Sequence, residues 1–376
     1  MYSIDLQWVV NSPSPYNAQL FAFLDKSDWL KLQVHYKKLS LETHPWKSDL
    51  TEGYSARSMD NMLGVDWRLL RLALTRAPLG QTRWFIVGSW TGLTCWMLFF
   101  ATLLRGHGVV IWTDTPNLNR RRNSLKNVSR KLALKWLFRR AHFLMGTGTP
   151  ALEALRVMGA PPLKLVNFPY WIDLSGYEAK TDQRMDSTSV EEPVVFISPG
   201  LIQNKRKGHD VVIRALGELR KKGLMGYEYW IAGTGPDEGA LKSLANELGV
   251  GDSVRFLGWV EPDDLQLRLA SAHVYIHPSP INEPYGVAVI EAMASGLPVL
   301  ASDLTFSALD RIEVGKSGMV HAAGSYRQLA SQMETLIVNP ERCLKMGAEA
   351  QAVSRMWPLE RSEKILQPLL QSIEQG

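Results

Sequence analysis

The 21 residues from Trp84 to Leu104, WFIVGSWTGLTCWMLFFATLL, carry no charge and leave two outcomes: a membrane-spanning helix or burial in a protein core. The interior of the run decides between them. Gly88, Ser89, Thr91, Gly92 and Thr94 interrupt the apolar residues as a turn does, so the stretch reads as a strand (84–87), a turn and a buried helix (93–104). A second strand follows at 109–113, and strand, helix, strand is the repeating unit of a parallel α/β sheet. A membrane span here would break that sheet.

The same alternation recurs along the chain. Residues 4–10 (IDLQWVV) read as a buried strand, Asn11 to Asn17 as a loop of turn formers, Gln19 to Leu24 as a helix and 31–36 as a second strand. In a doubly wound sheet such a loop lies at the carboxyl edge, where ligands bind. A chain of 376 residues is too long for one ordinary core and suits two domains. Cys95 and Cys343 lie far apart without ligand-like neighbours, which argues against a disulfide framework or a zinc site and for a reducing, cytoplasmic home. The first residues lack the basic region and apolar core of a signal peptide.

Charge is uneven. Residues 1–173 hold 22 Lys+Arg against 11 Asp+Glu, whereas residues 174–376 hold 20 against 26. The densest basic stretch is 120–140, where Arg130, Lys131 and Lys135 flank Leu132 and Trp136 at helical spacing with no acid among them. An amphipathic basic helix with an embedded Trp fits an anionic membrane surface. A solvated helix face is the plainer alternative. Nucleic acid is not expected as a partner, because no reader motif accompanies the charge.

In the second half, Pro278 to Asp303 reads PSPINEPYGVAVIEAMASGLPVLASD. Glu283 sits in a loop that its prolines keep from being helical, and Glu291, after seven intervening residues, falls on a helix expected over 287–295. Free amides around Tyr285, Gly286 and Val287 at the start of that helix would favour a phosphate. Upstream, a strand at 194–198 leads into a loop holding Gly200, Lys205, Arg206 and Lys207. Strand-and-turn segments at 229–235, with Gly233 and Gly235, and at 253–260, ending in Trp259 and Val260, precede the strand that reaches Pro278.

The pattern Glu-Pro-Tyr-Gly-Val-x-x-x-Glu-Ala-Met-Ala-x-Gly-x-Pro-Val from Glu283 to Val299 resembles the E-x7-E signature of retaining GT-B glycosyltransferases, the group 1 enzymes of glycosyltransferase family 4. The resemblance implies an α/β GT-B architecture: two Rossmann-like domains facing a cleft, with a C-terminal helix returning to the first. The expected boundaries are 1–173 for an acceptor-binding domain, 174–192 for a linker, 193–356 for a nucleotide-sugar-binding domain and 357–376 for the returning helix. It further implies transfer of a sugar from a nucleotide sugar to a glycan or lipid-linked acceptor in cell-envelope synthesis, on the inner face of the membrane. No cofactor or metal is expected, since no Asp-x-Asp occurs.

Carried over by position, the donor would meet Gly200, Lys205, Arg206, Lys207, Gly233, Gly235, Trp259, Val260, Pro278, Glu283, Tyr285, Gly286, Val287 and Glu291. In that set Glu291 takes the ribose hydroxyls, Glu283 contacts the sugar, and Lys207 with the amides near Gly286 stabilises the departing diphosphate. The acceptor would meet Pro15, Tyr16, Asn17 and Asp114. Glu283, Lys207 and Asp114 are the catalytic candidates. The sequence departs from the family at three places: no glycine in the 11–17 loop, Asp114 where many relatives have His-Gly, and Leu201 at the position of a diphosphate-gripping arginine. Lys205 or Arg206 could supply that cation, and Asp114 could bind acceptor, act as a weak base or cap its turn. A non-catalytic relative acting as a membrane-bound partner, a phosphorylase and a sugar-nucleotide epimerase are the competing functions.

Overall fold

The computed structural model describes residues 3–39, 50–59, 61–62, 65–118, 124–181 and 193–372. The chain divides into two compact units, Met1–Ile172 with Leu359–Gly376, and Asp173–Pro358.

The first unit begins with β1 (Ile4–Val10), α1 (Pro15–Leu24), β2 (Leu30–Tyr36), β3 (Ala56–Ser58) and a small hairpin of β4 (Asn61–Met62) and β5 (Val65–Asp66). It continues through α2 (Trp67–Leu74), β6 (Thr82–Val87), α3 (Leu93–Arg105), β7 (Gly108–Thr113), α4 (Ser124–Arg140), β8 (Phe143–Gly146), α5 (Thr149–Val157) and β9 (Leu165–Asn167). Its main sheet runs β3-β2-β1-β6-β7-β8-β9 with every pairing parallel, and the winding direction reverses between β1 and β6.

Central strands of such a sheet are covered on both faces, which is why β1 is apolar nearly throughout and buried at all seven positions. Its two polar residues are paired: Asp5 receives Arg83 Nε at 2.6 Å and the Gln7 amide at 2.6 Å. The helix after β1 starts at Pro15, earlier than the apolar pattern alone suggests. Ser14 Oγ accepts the Asn17 N–H at 3.3 Å and Pro15 occupies the first turn, where its missing N–H costs nothing.

The uncharged run divides as its glycines require, into β6 and α3. Among the described residues no helix is long and apolar enough to cross a membrane. The expectation of a buried α3 needs correction. Leu93, Phe100 and Leu104 are 57%, 52% and 76% exposed, because the sheet and α2 cover only one side of a helix that is apolar all round.

The second unit opens with α6 (Ser175–Thr181), β10 (Val194–Pro199), α7 (Asn204–Lys207), α8 (His209–Lys221), β11 (Tyr227–Ala232), α9 (Glu238–Glu247), β12 (Val254–Gly258) and α10 (Pro262–Ser271). Then come β13 (Val274–His277), α11 (Ala288–Ala294), β14 (Val299–Ser302), α12 (Phe306–Arg311), β15 (Gly318–His321), α13 (Tyr326–Ile337) and α14 (Pro340–Ser354). The parallel order β12-β11-β10-β13-β14-β15 reverses between β10 and β13. One face packs on α8, α9 and α13 through Phe196, Val212, Leu216, Tyr229 and Met333, all fully buried.

Within the stretch expected to link the domains, residues 175–181 form α6, which packs on α10 and α11, and residues 182–192 lie outside the described residues. The last helix, α15 (Arg361–Gln371), groups with the first unit, where Ser27 Oγ donates to Glu363 Oε1 at 2.7 Å.

Candidate functional site

Open α/β sheets bind ligands outside the carboxyl ends of their strands, where the winding reverses. In the second unit that place is the loop after β10 and the loop after β13, and it gathers Lys207, Glu283 and Glu291. Lys207 closes α7, a helical turn inside what the sequence presents as a loop. Its Nζ donates to Glu283 Oε1 at 2.8 Å. Gly208 makes this approach possible: it sits at φ +70°, and a Cβ there would fall 2.3 Å from the Pro278 carbonyl oxygen. Ser279 Oγ, which donates to the Arg206 carbonyl at 2.7 Å, also lies 3.3 Å from Glu283 Oε2.

Burial alone would raise the Glu283 pKa. Lys207, with Arg206, outweighs it and leaves the carboxyl below its ordinary value. Glu283 is therefore an anion at neutral pH, with lone pairs to spare. Lys205 and Arg206 are both exposed; Arg206 is the one close enough to act on Glu283. Leu201 is 40% exposed and offers no charge.

Glu291 lies on α11, which is shorter than expected, Ala288 to Ala294, so its N-terminal dipole is small. Desolvation raises the Glu291 pKa, opposed by a hydrogen bond from Tyr177 and by the nearby Arg311. Arg311 is buried between two aromatic faces, 4.7 Å from the Tyr285 ring centre and 5.4 Å from that of Trp357.

Gly233 and Gly235 are required by the chain itself. A Cβ on Gly233 would fall 1.9 Å from the Gly200 carbonyl oxygen, and one on Gly235 2.2 Å from that of Ile202. Trp259 and Val260 line a different pocket of about 460 Å³ with Leu257, Asp264 and Arg268; Lys207, Glu283 and Glu291 are not among its lining residues.

In the first unit the reversal point is also hollow. A polar cavity of about 270 Å³ is lined by Asn11, Tyr16, Asn17, Gly88, Asp114 and Tyr170. Pro15 begins the helix that sets Tyr16 and Asn17 there. Asp114 Oδ1 accepts the Tyr170 hydroxyl at 2.8 Å and the Thr147 hydroxyl at 3.1 Å. Crowding by protein raises its pKa, with these two bonds acting against the rise. Tyr16 and Tyr170 meet with ring centres 4.5 Å apart, and the Asn17 Oδ1 is buried with no partner among the described residues.

The basic segment is helical over Ser124–Arg140, with residues 119–123 outside the described ones. Lys131, Lys135 and Trp136 are exposed and Arg130 is half-buried. The Trp136 ring lies 5.2 Å from Phe100 on α3, so the apolar patch spans two helices.

Sequence reasoning missed Tyr177, Tyr170, Thr147 and Arg311, whose partners are remote along the chain. His277 ends β13. The structure buries that ring beside Lys207 and Glu283, with its pKa lowered to about 3 by burial first and Lys207 second.

Two doubly wound sheets, each with polar side chains collected at its reversal point, define the GT-B glycosyltransferase fold. The structure of Anabaena Alr3699/HepE in complex with UDP shares it, with TM-score 0.77 and 16% identity over 98% of this chain and all of that one. Residues 179–353 match the model of the glycosyl transferases group 1 family. Among curated proteins, the chain is 29% identical over 208 residues to the GDP-mannose-dependent alpha-(1-6)-phosphatidylinositol monomannoside mannosyltransferase of Mycobacterium tuberculosis, covering 52% of this chain and 53% of that protein. It is 36% identical over 161 residues to the phosphatidyl-myo-inositol mannosyltransferase of Mycobacterium leprae, covering 42% and 41%. The matches thus span about half the length of these relatives or less.

Proposed function

We propose that the chain transfers a sugar from a nucleotide sugar to a hydroxyl of a glycan or lipid-linked acceptor, with retention of configuration and without a metal, in cell-envelope glycolipid or polysaccharide synthesis. The observation that carries this reading is the Lys207–Glu283 ion pair at 2.8 Å where the second sheet reverses, with Glu291 on the α11 that follows. Donors of this class present a ribose, a diphosphate and a sugar in series, and the site offers an acceptor, a cation and a second acceptor.

In this reading Glu291 accepts the ribose hydroxyls. Lys207 spends one N–H on Glu283 and keeps two for the diphosphate oxygens. As the bond from the anomeric carbon to the phosphate oxygen breaks, the electron pair leaves with the diphosphate, the acceptor oxygen bonds the anomeric carbon on the same face, and the acceptor's hydroxyl proton passes to the departing diphosphate. Lys207, with Arg206 in place of the absent arginine, stabilises the charge it gains. Glu283 meets the sugar, and its negative charge favours the positive charge that develops on the ring.

The first-unit cavity supports an acceptor that is a neutral, hydroxylated ring. Asp114 and Asn17 accept hydrogen bonds from hydroxyls, Tyr16 and Tyr170 offer ring faces, and none of the cavity's lining residues is cationic. A phosphate would be repelled by Asp114. The two-helix patch with Trp136, Lys131 and Lys135 fits an anionic bilayer on the cytoplasmic side, where a lipid-linked acceptor would be met.

The test is transfer of labelled sugar from UDP-glucose or GDP-mannose into a lipid or glycan extract. Glu283→Ala and Lys207→Met should each lower the rate by about 100-fold or more. Undiminished transfer by both variants would remove this site from the reaction.

A further inference from the structure

We propose that Tyr177 is a positioning residue for Glu291: its hydroxyl holds one carboxylate oxygen and leaves the other to receive the ribose of a nucleotide sugar. The inference rests on the reading of Glu291 as the ribose acceptor. Tyr177 comes from α6, in the stretch that composition presents as a linker, yet it is only 8% exposed and its Oη donates to Glu291 Oε1 at 2.9 Å. Its helix is fixed in place. Gly176 packs so closely that a Cβ would fall 2.9 Å from the Gln266 side chain of α10, and Glu178 lies 3.8 Å from Arg355 beyond α14.

A carboxylate has about four lone-pair sites on two oxygens, and Tyr177 uses one of them. The remaining oxygen is then held in one orientation, ready for two hydroxyls, without the ligand having to order it. The bond also favours the ionised form of Glu291. Burial favours the protonated form, and Tyr177 from α6 and Arg311 from α12 oppose it. Tyr275 on β13 also faces Glu291, and Asp263 on α10 faces Tyr177. A protonated Glu291 would have one oxygen turned from acceptor into donor and would suit a ribose less well.

The experiment uses the full chain, with UDP-glucose and GDP-mannose as probes, and follows binding by calorimetry from pH 5.5 to 8. Tyr177→Phe keeps the ring and its packing and removes only the hydroxyl. It should weaken nucleotide-sugar binding by about three- to tenfold at pH 8. The loss should deepen as pH falls, because Glu291 without its donor takes up a proton at higher pH. A purely structural role would lower the melting temperature of the unliganded protein without moving this pH profile. Binding that matches the wild type at every pH overturns the proposal, and tighter binding does so too, since Tyr177 would then compete with the ligand. Glu291→Ala separates the two readings. If it binds as well as the wild type, the ribose assignment fails and Tyr177 loses its role with it. If it loses binding while Tyr177→Phe behaves as wild type, only the role of Tyr177 fails.

Discussion

Lys207 and Glu283 are 76 residues apart, and each makes the other tenable in a mostly buried site. Removing one partner of a fully buried pair costs about 3–5 kcal/mol; with side chains 20% and 11% exposed, Lys207→Met should cost about 2 kcal/mol of stability at pH 7. The pH dependence has a sign. In the wild type the Glu283 pKa is depressed, so its contribution is present above 4.5, the ordinary value, and is lost as pH falls through the lower folded value. In Lys207→Met burial dominates and the pKa rises, so that variant should lose stability relative to wild type as pH increases from 4.5 to 7. Denaturant titrations at the two pH values check this, and a difference independent of pH would contradict it. At this scale the sequence is readable where residues are close together, as Glu283 and Glu291 are. It is silent on Tyr177 and Glu291, which lie 114 residues apart and which nothing but the fold brings together.

Elements were legible where their apolar period is unambiguous. β1 runs over Ile4–Val10 as its sequence predicts, and α3 begins at Leu93, where the glycine turn ends. What covers an element is not written in it: the uncharged sequence of α3 predicts burial, and its outer stripe is exposed all the same. If that stripe and α4 meet a bilayer, each cation near the surface contributes on the order of 1 kcal/mol. Lys131→Glu with Lys135→Glu should then weaken binding to phosphatidylglycerol vesicles by at least about 30-fold in sedimentation. Phe100→Ser with Leu104→Ser should weaken it at any salt concentration, and no change in either pair would remove the membrane from the account. The loops after β10 and β11 give a second test. Gly233→Ala drives a methyl group into the Gly200 carbonyl and should cost about 1–3 kcal/mol, with donor affinity falling alongside because the loop carrying Lys207 moves.

Among the described residues, the four histidines whose pKa values desolvation lowers furthest are His35 and His277, to about 3, and His209 and His321, to about 4. The unfolded chain binds protons on them below about 6.5 and the folded chain does not, so stability is full above 6.5 and lost progressively as pH falls toward 3–4. Three of the four lie in the second unit, which should melt first in scans at pH 5; earlier melting of the first unit would contradict the burial argument. The two-unit plan was legible from length and from strand-turn-helix repetition, and the likeness to group 1 glycosyltransferases from the ordered motif after Pro278. In the first-unit cavity Tyr16, Asn17 and Asp114 were legible as candidates, and Tyr170 and Thr147 were not, because they reach Asp114 from distant segments. The central claim is that a nucleotide sugar binds the second unit through Glu291 and Lys207. Its most direct test is the melting temperature of wild type, Glu291→Ala and Lys207→Met with UDP-glucose or GDP-mannose. At about a hundred times its dissociation constant a ligand adds about 2.7 kcal/mol. One donor should therefore raise the wild-type transition by several degrees and leave both variants nearly unmoved; equal shifts in all three proteins, or none in any, would contradict the claim.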